Sequence, residues 1–301
     1  MNKIVRLTAA ALAAVALLVG AISNSHAASD GGDGVSTHEV APGVFSFLSG
    51  SGYHSMFVIT DDGVAAFETV NSPHSIEMLK TIRSMTDKPV KYALQTHNHW
   101  DHISGGALLQ AVGAKVVMHS LAADWLAANP GRDTTPPDMV WEGARSDIKL
   151  GDITIQMHHL GLSHGVGMTV YVIPELRVAY IGDLVTPNRV MFSIVPDFNI
   201  PEWERSLEEI MELDFDVAVC SHNDLPADEA IKGCTMEHVK EERAYISDLR
   251  NAIFAEFKKG TPPGKIPSVL ELPQYAHWNH YEDWLSLNAQ RMLLDMWMGP
   301  Y

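Results

Sequence analysis

The stretch Thr96-His-Asn-His-Trp-Asp-His-Ile-Ser-Gly-Gly106 sets four metal-ligating side chains, His97, His99, Asp101 and His102, within six residues. It continues from Val90-Lys-Tyr-Ala-Leu-Gln-Thr96, whose apolar pattern reads as a strand. Alternate residues of an extended segment share one side, so His97 and His99 point together and can share a metal. Asp101 and His102, at the turn into a following helix, can supply a second. Imidazoles and carboxylates without a thiolate cage suit zinc, and also accept iron or manganese. Gly105 and Gly106 permit close strand-to-helix packing beside the cluster.

Upstream, short strands are expected over residues 43–49, 54–60 and 64–70, with Asp61-Asp62-Gly63 as a turn and a helix from Pro73 to Met85. Downstream, a small-residue helix is expected to run through Leu109, before a strand at 115–119 and a short helix at 122–128. Strand, helix and strand in succession favour an α/β layered fold over an all-β sandwich. Further strands are expected at 153–157, 168–173, 178–181 and 216–220, with a helix opening at Pro201 before the last of them. Three more ligand types stand just past these runs or between them: His164, Asp183 and His222. Each alone is a routine polar residue. With the first cluster they make seven, enough for two metals, and loops at one sheet edge can converge.

These ordered residues resemble the metallo-β-lactamase superfamily. Its His-x-His-x-Asp-His signature matches positions 97, 99, 101 and 102, and its strand-to-loop Gly-Asp matches Gly182 and Asp183. Its usual glycine before the last histidine is replaced here by Ser221. The resemblance implies an α/β fold, a four-layer αβ/βα sandwich with the site at one edge between the sheets. It assigns His97, His99 and His164 to a first metal, and Asp101, His102 and His222 to a second, with Asp183 bridging. That ligand set is similar to glyoxalase II-like and lactonase-like members, and implies two Zn2+ per chain and hydrolysis through a metal-bridging hydroxide. Asp101 is then the candidate to steer the nucleophile and pass a proton to the leaving group. The expected substrate is a small molecule with an apolar group, most simply an ester or lactone. Alternatives are β-lactam hydrolysis, a mononuclear iron persulfide dioxygenase-like oxidoreductase, and a non-catalytic binding module.

Four residues stand beside the cluster as candidates for substrate contact or for a supporting role: Trp100, Tyr53, His119 and His159. Trp100 sits inside the motif, and Tyr53 ends the glycine-rich segment Leu48-Ser-Gly-Ser-Gly-Tyr53. No Gly-x-Ser-x-Gly elbow supports a serine hydrolase.

The chain has 301 residues and a formal charge of −16, with no sustained Lys/Arg run. Nucleic acid is therefore excluded as a partner, since phosphate binding needs a basic surface. Lys3 and Arg6, an apolar stretch from Leu7 to Ile22, and Ser25-His26-Ala27 read as a signal peptide over residues 1–27. Export to the periplasm or exterior is expected, with no stable membrane span after processing. Residues 28–38 read as a flexible mature terminus, and 39–301 as one hydrolase domain with a helical extension from about residue 224. Two cysteines, Cys220 and Cys234, do not make a disulfide framework. Cys220 reads more readily as a buried free thiol than as half of a bridge.

Overall fold

The computed structural model describes residues 34–299. The expected signal peptide lies outside the described residues. Ser36–Ala41 (β1), Val44–Leu48 (β2), His54–Thr60 (β3), Gly63–Phe67 (β4), Val90–Leu94 (β5), Lys115–His119 (β6) and Met139–Trp141 (β7) form one sheet in sequence order. The first four strands pair antiparallel and β4 through β7 pair parallel. Parallel neighbours need crossovers. These contain the helices Ser72–Met85 (α1), Trp100–Ile103 (α2), Gly106–Ala111 (α3) and Ser120–Ala128 (α4).

A second sheet holds Arg145–Leu150 (β8), Ile153–His159 (β9), Thr169–Ile173 (β10), Val178–Gly182 (β11) and Val217–Cys220 (β12). Its strands are antiparallel except for β12, which runs parallel to β11 after the helix Ile200–Met211 (α5). The chain then turns helical, through Ala227–Ala230 (α6), Met236–Lys259 (α7), Ile266–Val269 (α8) and Tyr281–Met298 (α9).

Period-2 alternation sorts the strand residues into layers. Met56, Val58, Ala65 and Phe67 face Ile155, Tyr171, Ile173 and Tyr180 of the second sheet, forming the core between the sheets. Phe57, Val64 and Ala66 pack outward against Met78 and Ile82 of α1 and Leu109 of α3. Val170, Val172 and Ala179 pack outward with Trp203, Leu207 and Ile210 of α5 and Ile246, Leu249 and Ile253 of α7. The result is the four-layer αβ/βα sandwich. Helix starts follow local chemistry. Asn71 caps α1 by accepting from the His74 amide at 2.9 Å, Asn199 caps α5 from Glu202 at 3.1 Å, and proline occupies an early position in both.

Several expectations are corrected. Residues 36–38 of the expected loose terminus belong to β1, which hydrogen-bonds along β2. Neither β7 nor β8 was legible in sequence: β7 spans three residues, and Arg-Ser-Asp-Ile-Lys-Leu is a polar edge strand with only Ile148 and Leu150 buried. The expected helix through Leu109 is two short helices, broken where Gly105 adopts φ +77°. A Cβ there would lie 2.6 Å from the Asn71 backbone, so the glycine is required.

Cys220 and Cys234 are joined as a disulfide, not left as free thiols. Backbone hydrogen bonds between Ala218 and Cys234, at 2.8 and 2.6 Å, bring the two segments together, with the Cα atoms of Cys220 and Cys234 6.3 Å apart. The bridge ties the end of β12 to the segment that leads into α7. Closing a short loop constrains the unfolded chain, so replacing both cysteines by serine is expected to lower unfolding stability by about 3 kcal/mol. Because neither sulfur is a ligand candidate, metal content should be unchanged. Denaturant unfolding and elemental analysis of the double variant check both halves.

Candidate metal centre

The C-terminal ends of β4, β5, β11 and β12 meet at one edge of the sandwich. Hydrogen bonds between the sheets hold them there: His54 N to Ser221 O at 2.8 Å, Thr169 N to Thr96 O at 2.8 Å, and Tyr171 OH to Gln95 O at 2.5 Å. The residues after each strand therefore project into one space. His97 and His99 come from the β5–α2 turn, His102 from α2, His164 from the β9–β10 loop, Asp183 from just past β11 and His222 from just past β12.

Asp183 is the centre of this group. Its Oδ2 lies 2.9 Å from His102 Nε2, 3.1 Å from His164 Nε2 and 3.5 Å from His222 Nε2. Three sets of three side chains have ligand atoms within 4.8 Å of one another: His97 with His99 and His164, His102 with Asp183 and His222, and Glu68 with His97 and His102. His164 of the first set and both histidines of the second approach the same Asp183 oxygen, Oδ2. Gly165 lets the loop approach: a Cβ there would sit 2.8 Å from Asn98 Oδ1 and 3.0 Å from His97 Cδ2.

The hydrogen-bond network fixes which nitrogen each ring offers. The Thr96 hydroxyl donates to Glu68 Oε1, so at the 2.7 Å contact with Thr96 Oγ1 His97 Nδ1 is the donor. His97 Nε2 then carries the lone pair. It is buried with no hydrogen-bond partner. His102 Nδ1 donates to Glu68 Oε2 at 2.8 Å, which turns its Nε2 towards Asp183. His99 Nε2 meets Asp197 Oδ2 at 2.8 Å, leaving Nδ1 as its ligand atom.

Burial, together with His99 and its other imidazole neighbours, holds His97 well below the ordinary range, so it stays neutral. Burial also lowers His164. For His102 burial acts downward, but Asp183 and Glu68 overcome it and hold the ring well above the ordinary range. Burial opposes ionisation of Asp183, yet His102, His222 and His164 keep its carboxyl well below the carboxylate range. Buried polar atoms are ordinarily paired. Here His97 Nε2, His164 Nδ1 and Asp183 Oδ1 are not. Imidazoles converging on a buried carboxylate, with unpaired ligand atoms on His97, His164 and Asp183, fit one or two divalent cations.

Asp101 stands at the rim, its side chain 59 % exposed and its Oδ2 3.8 Å from His102 Nε2. The Tyr53 hydroxyl donates to the same oxygen at 2.7 Å, and the Tyr53 ring lies 4.5 Å from that of His222. Trp100, on α2, is half exposed at the cavity mouth and donates to Asn129 O at 3.1 Å. Of the four accessory candidates, Tyr53 and Trp100 thus border the site. His119 and His159 do not. They stack on each other at 3.9 Å, with Trp141 edge-on to His119, and neither lines the cavity. On strand β9, His158 and His159 must face opposite ways, and the side His159 takes leads to His119 rather than to the centre.

Glu68 and Asp197 were missed. Glu68 ends β4 fully buried, accepting from Thr96, His102, Tyr180 and Ser221. A charged residue closing the apolar run Val64-Ala-Ala-Phe67 was the available signal. Asp197 lies in a loop with no motif around it.

The sequence profile of the metallo-beta-lactamase superfamily matches residues 49–222, more than half of the chain. The chain belongs to this superfamily. Among curated relatives, the 2,4-dinitroanisole O-demethylase subunit alpha of Nocardioides sp. (strain JS1661) is 28% identical over 172 residues, covering 56% of this chain and 52% of that one. The chain thus spans about half the length of that relative. Two solved superfamily folds are similar. A metallo-beta-lactamase from Pontibacter korlensis has a TM-score of 0.61 at 19% identity, covering 71% of this chain and 99% of that one. The stereoselective inverting sec-alkylsulfatase Pisa1 from Pseudomonas sp. has 0.67 at 15%, covering 89% and 51%. At these identities they show the fold alone.

Glu68 supplies the prediction for this site. Its carboxyl receives four donors, and an amide would turn an NH2 group against some of them. Glu68→Gln is expected to weaken metal binding about 10- to 100-fold, the usual effect of losing a partner behind a ligand histidine. Competition with a chromophoric chelator measures it.

Proposed function

We propose that the chain is a binuclear, zinc-dependent hydrolase acting on an ester or lactone that carries an apolar, aryl-sized group. The observation that carries this reading is Asp183, a buried carboxylate with three imidazoles within 3.5 Å of one oxygen, at the floor of a cavity of about 660 Å3. Superfamily membership and the clustered ligand side chains support a metal-dependent hydrolase. Two of the clusters, His97 with His99 and His164 and His102 with Asp183 and His222, share no residue, which favours two metals over a single iron.

When bound, the metals would acidify water and polarise the oxygen under attack. The remaining steps fall to the chain's own residues. His97, His99 and His164 would hold one ion, and His102 and His222 with Asp101 the other, Asp183 lying between. The Asp101 carboxylate, held at the rim by the Tyr53 hydroxyl, is placed to accept a proton from the nucleophile and return it to the leaving group. Burial works against its ionisation, but His102 and Tyr53 keep its carboxyl below the usual range, so it is ionised near neutrality. Trp100, Trp125, Phe192, Phe198 and Trp203 wall the cavity and would receive an apolar group while excluding water. That wall, and a relative named for an aryl substrate, favour aryl esters and make aryl ether cleavage the second reading. Export remains part of the proposal, supported by the Cys220–Cys234 bridge, because such bridges persist in oxidising compartments.

Elemental analysis of protein purified without chelator is expected to find about two zinc ions per chain. A reproducible value of one or less, or iron in place of zinc, would defeat the binuclear zinc reading. The metal-loaded protein should then turn over lactones or aryl esters in a panel that also holds β-lactams, aryl ethers, phosphodiesters and alkyl sulfates. Asp183→Asn should keep the fold, lose much of one metal and lose at least roughly a hundredfold in activity, the scale of a major electrostatic contributor. Circular dichroism, zinc titration and turnover read the three effects separately. Full activity with one metal would remove Asp183 from the mechanism.

A further inference from the structure

We propose that Arg189 is an anion anchor in the cavity, and that the substrate bears a carboxylate remote from the bond that is broken. This rests on the hydrolase reading and narrows its substrate class.

Arg189 is the sole Lys or Arg among the described residues lining the cavity, which is otherwise bordered by Asp101, Asp183 and Asp197. Its side chain is 13% exposed. Its Nε is buried without a hydrogen-bond partner, and the nearest carboxylate oxygen, Asp224 Oδ2, stands 3.8 Å away, beyond hydrogen-bonding range. A second acidic neighbour, Glu242, spends its Oε2 on Thr186, accepting from its amide at 3.1 Å and its hydroxyl at 3.2 Å. Burial pushes Glu242 up to about 8, so near neutrality it does not offer Arg189 a full counter-charge. Asp224 is thus an ion-pair partner too distant for a hydrogen bond, and the mostly buried guanidinium keeps unspent donors that a ligand anion would take up.

The position is also built. The guanidinium lies over the Trp284 ring of α9 at 5.3 Å from its centroid, and His280 stacks on the same indole at 3.8 Å. The backbone on both sides is tied to the C-terminal segment, by Val190 N to Asn279 O at 3.3 Å and Asn279 N to Asn188 O at 2.8 Å. The anchor is therefore pre-set before a ligand arrives. Arg189 follows Asp183 by six residues and borders the same cavity, so one small molecule can reach both. The planar guanidinium fork matches the two coplanar oxygens of a carboxylate. Phe192, which also meets Trp284, lies beside it to receive the aryl portion.

Two measurements on the zinc-loaded protein test this. Calorimetry compares binding of phenylacetate and phenylacetamide to the wild type, Arg189→Met and Arg189→Lys. Arg189→Met is expected to reduce the preference for the acid at least about tenfold, with Arg189→Lys between the two. Kinetics then compare an aryl ester carrying a distal carboxylate with its methyl-capped counterpart. The ratio of their kcat/KM values should fall by a similar factor in Arg189→Met. Zinc content and melting temperature of each variant confirm that the centre is intact. If phenylacetate binds through the metals alone, the preference is unchanged in Arg189→Met and the proposal is overturned. If no ester in the pair is turned over while the Arg189-dependent preference persists in calorimetry, the anchor stands and the hydrolase reading falls.

Discussion

A single buried carboxyl holds the centre together. Glu68 leaves the end of β4 at φ +58° and is met by Thr96 beyond β5, His102 on α2, Tyr180 of β11 and Ser221 beyond β12. Four elements from both sheets thus converge on two oxygens. The left-handed backbone is an unusual state for a residue with a Cβ, and Val70 nearby shares it at φ +60°. Surrounding hydrogen bonds over-determine it: Glu68 N bonds Leu94 O at 2.9 Å and Val70 N bonds His102 O at 2.8 Å. By fixing the donor nitrogens of His97 and His102, Glu68 also fixes which atoms face inward. Metal affinity, fold and strain meet at this side chain.

Charge is arranged in shells around it. The chain is strongly acidic overall, yet its centre collects five histidines around few carboxylates. Burial keeps His97 and His164 neutral and ready to ligate, while Asp183 keeps its charge because three histidines surround it. Asp197, reaching His99 from the far loop, repeats at the rim what Glu68 does inside. Both orient an imidazole by holding its outer nitrogen.

The helical C-terminal region is part of the site's architecture and not an appendage. The helix α7 supplies Glu242 to the loop after Asp183, and α9 supplies Trp284 beneath Arg189 and Phe192. Asn288 and Arg291 of the same helix hold the carbonyls of Met191, Ser193, Val195 and Phe198. The loop that walls the cavity, with positive φ at Asn188, Ser193 and Val195, is thereby pinned from behind.

The sequence by itself determined the ligand cluster, the strand-and-helix order apart from β1, β7 and β8, and the superfamily. Those are local facts: His97, His99, Asp101 and His102 are neighbours in the chain, and period-2 and period-3.6 patterns mark β3, β4, α1 and α7 directly. Only the tertiary structure decided which distant polar residues serve the site. Glu68, Asp197 and Arg189 carry no motif, and the chain positions of His119 and His159 do not show that they face each other and not the cavity. The direction a side chain takes across a sheet, and the partner it meets from the opposite sheet, depend on register and on packing between layers, which no short window of sequence encodes. The pairing of Cys220 with Cys234 was settled in the same way, by the Ala218–Cys234 backbone contact that brings their two segments together.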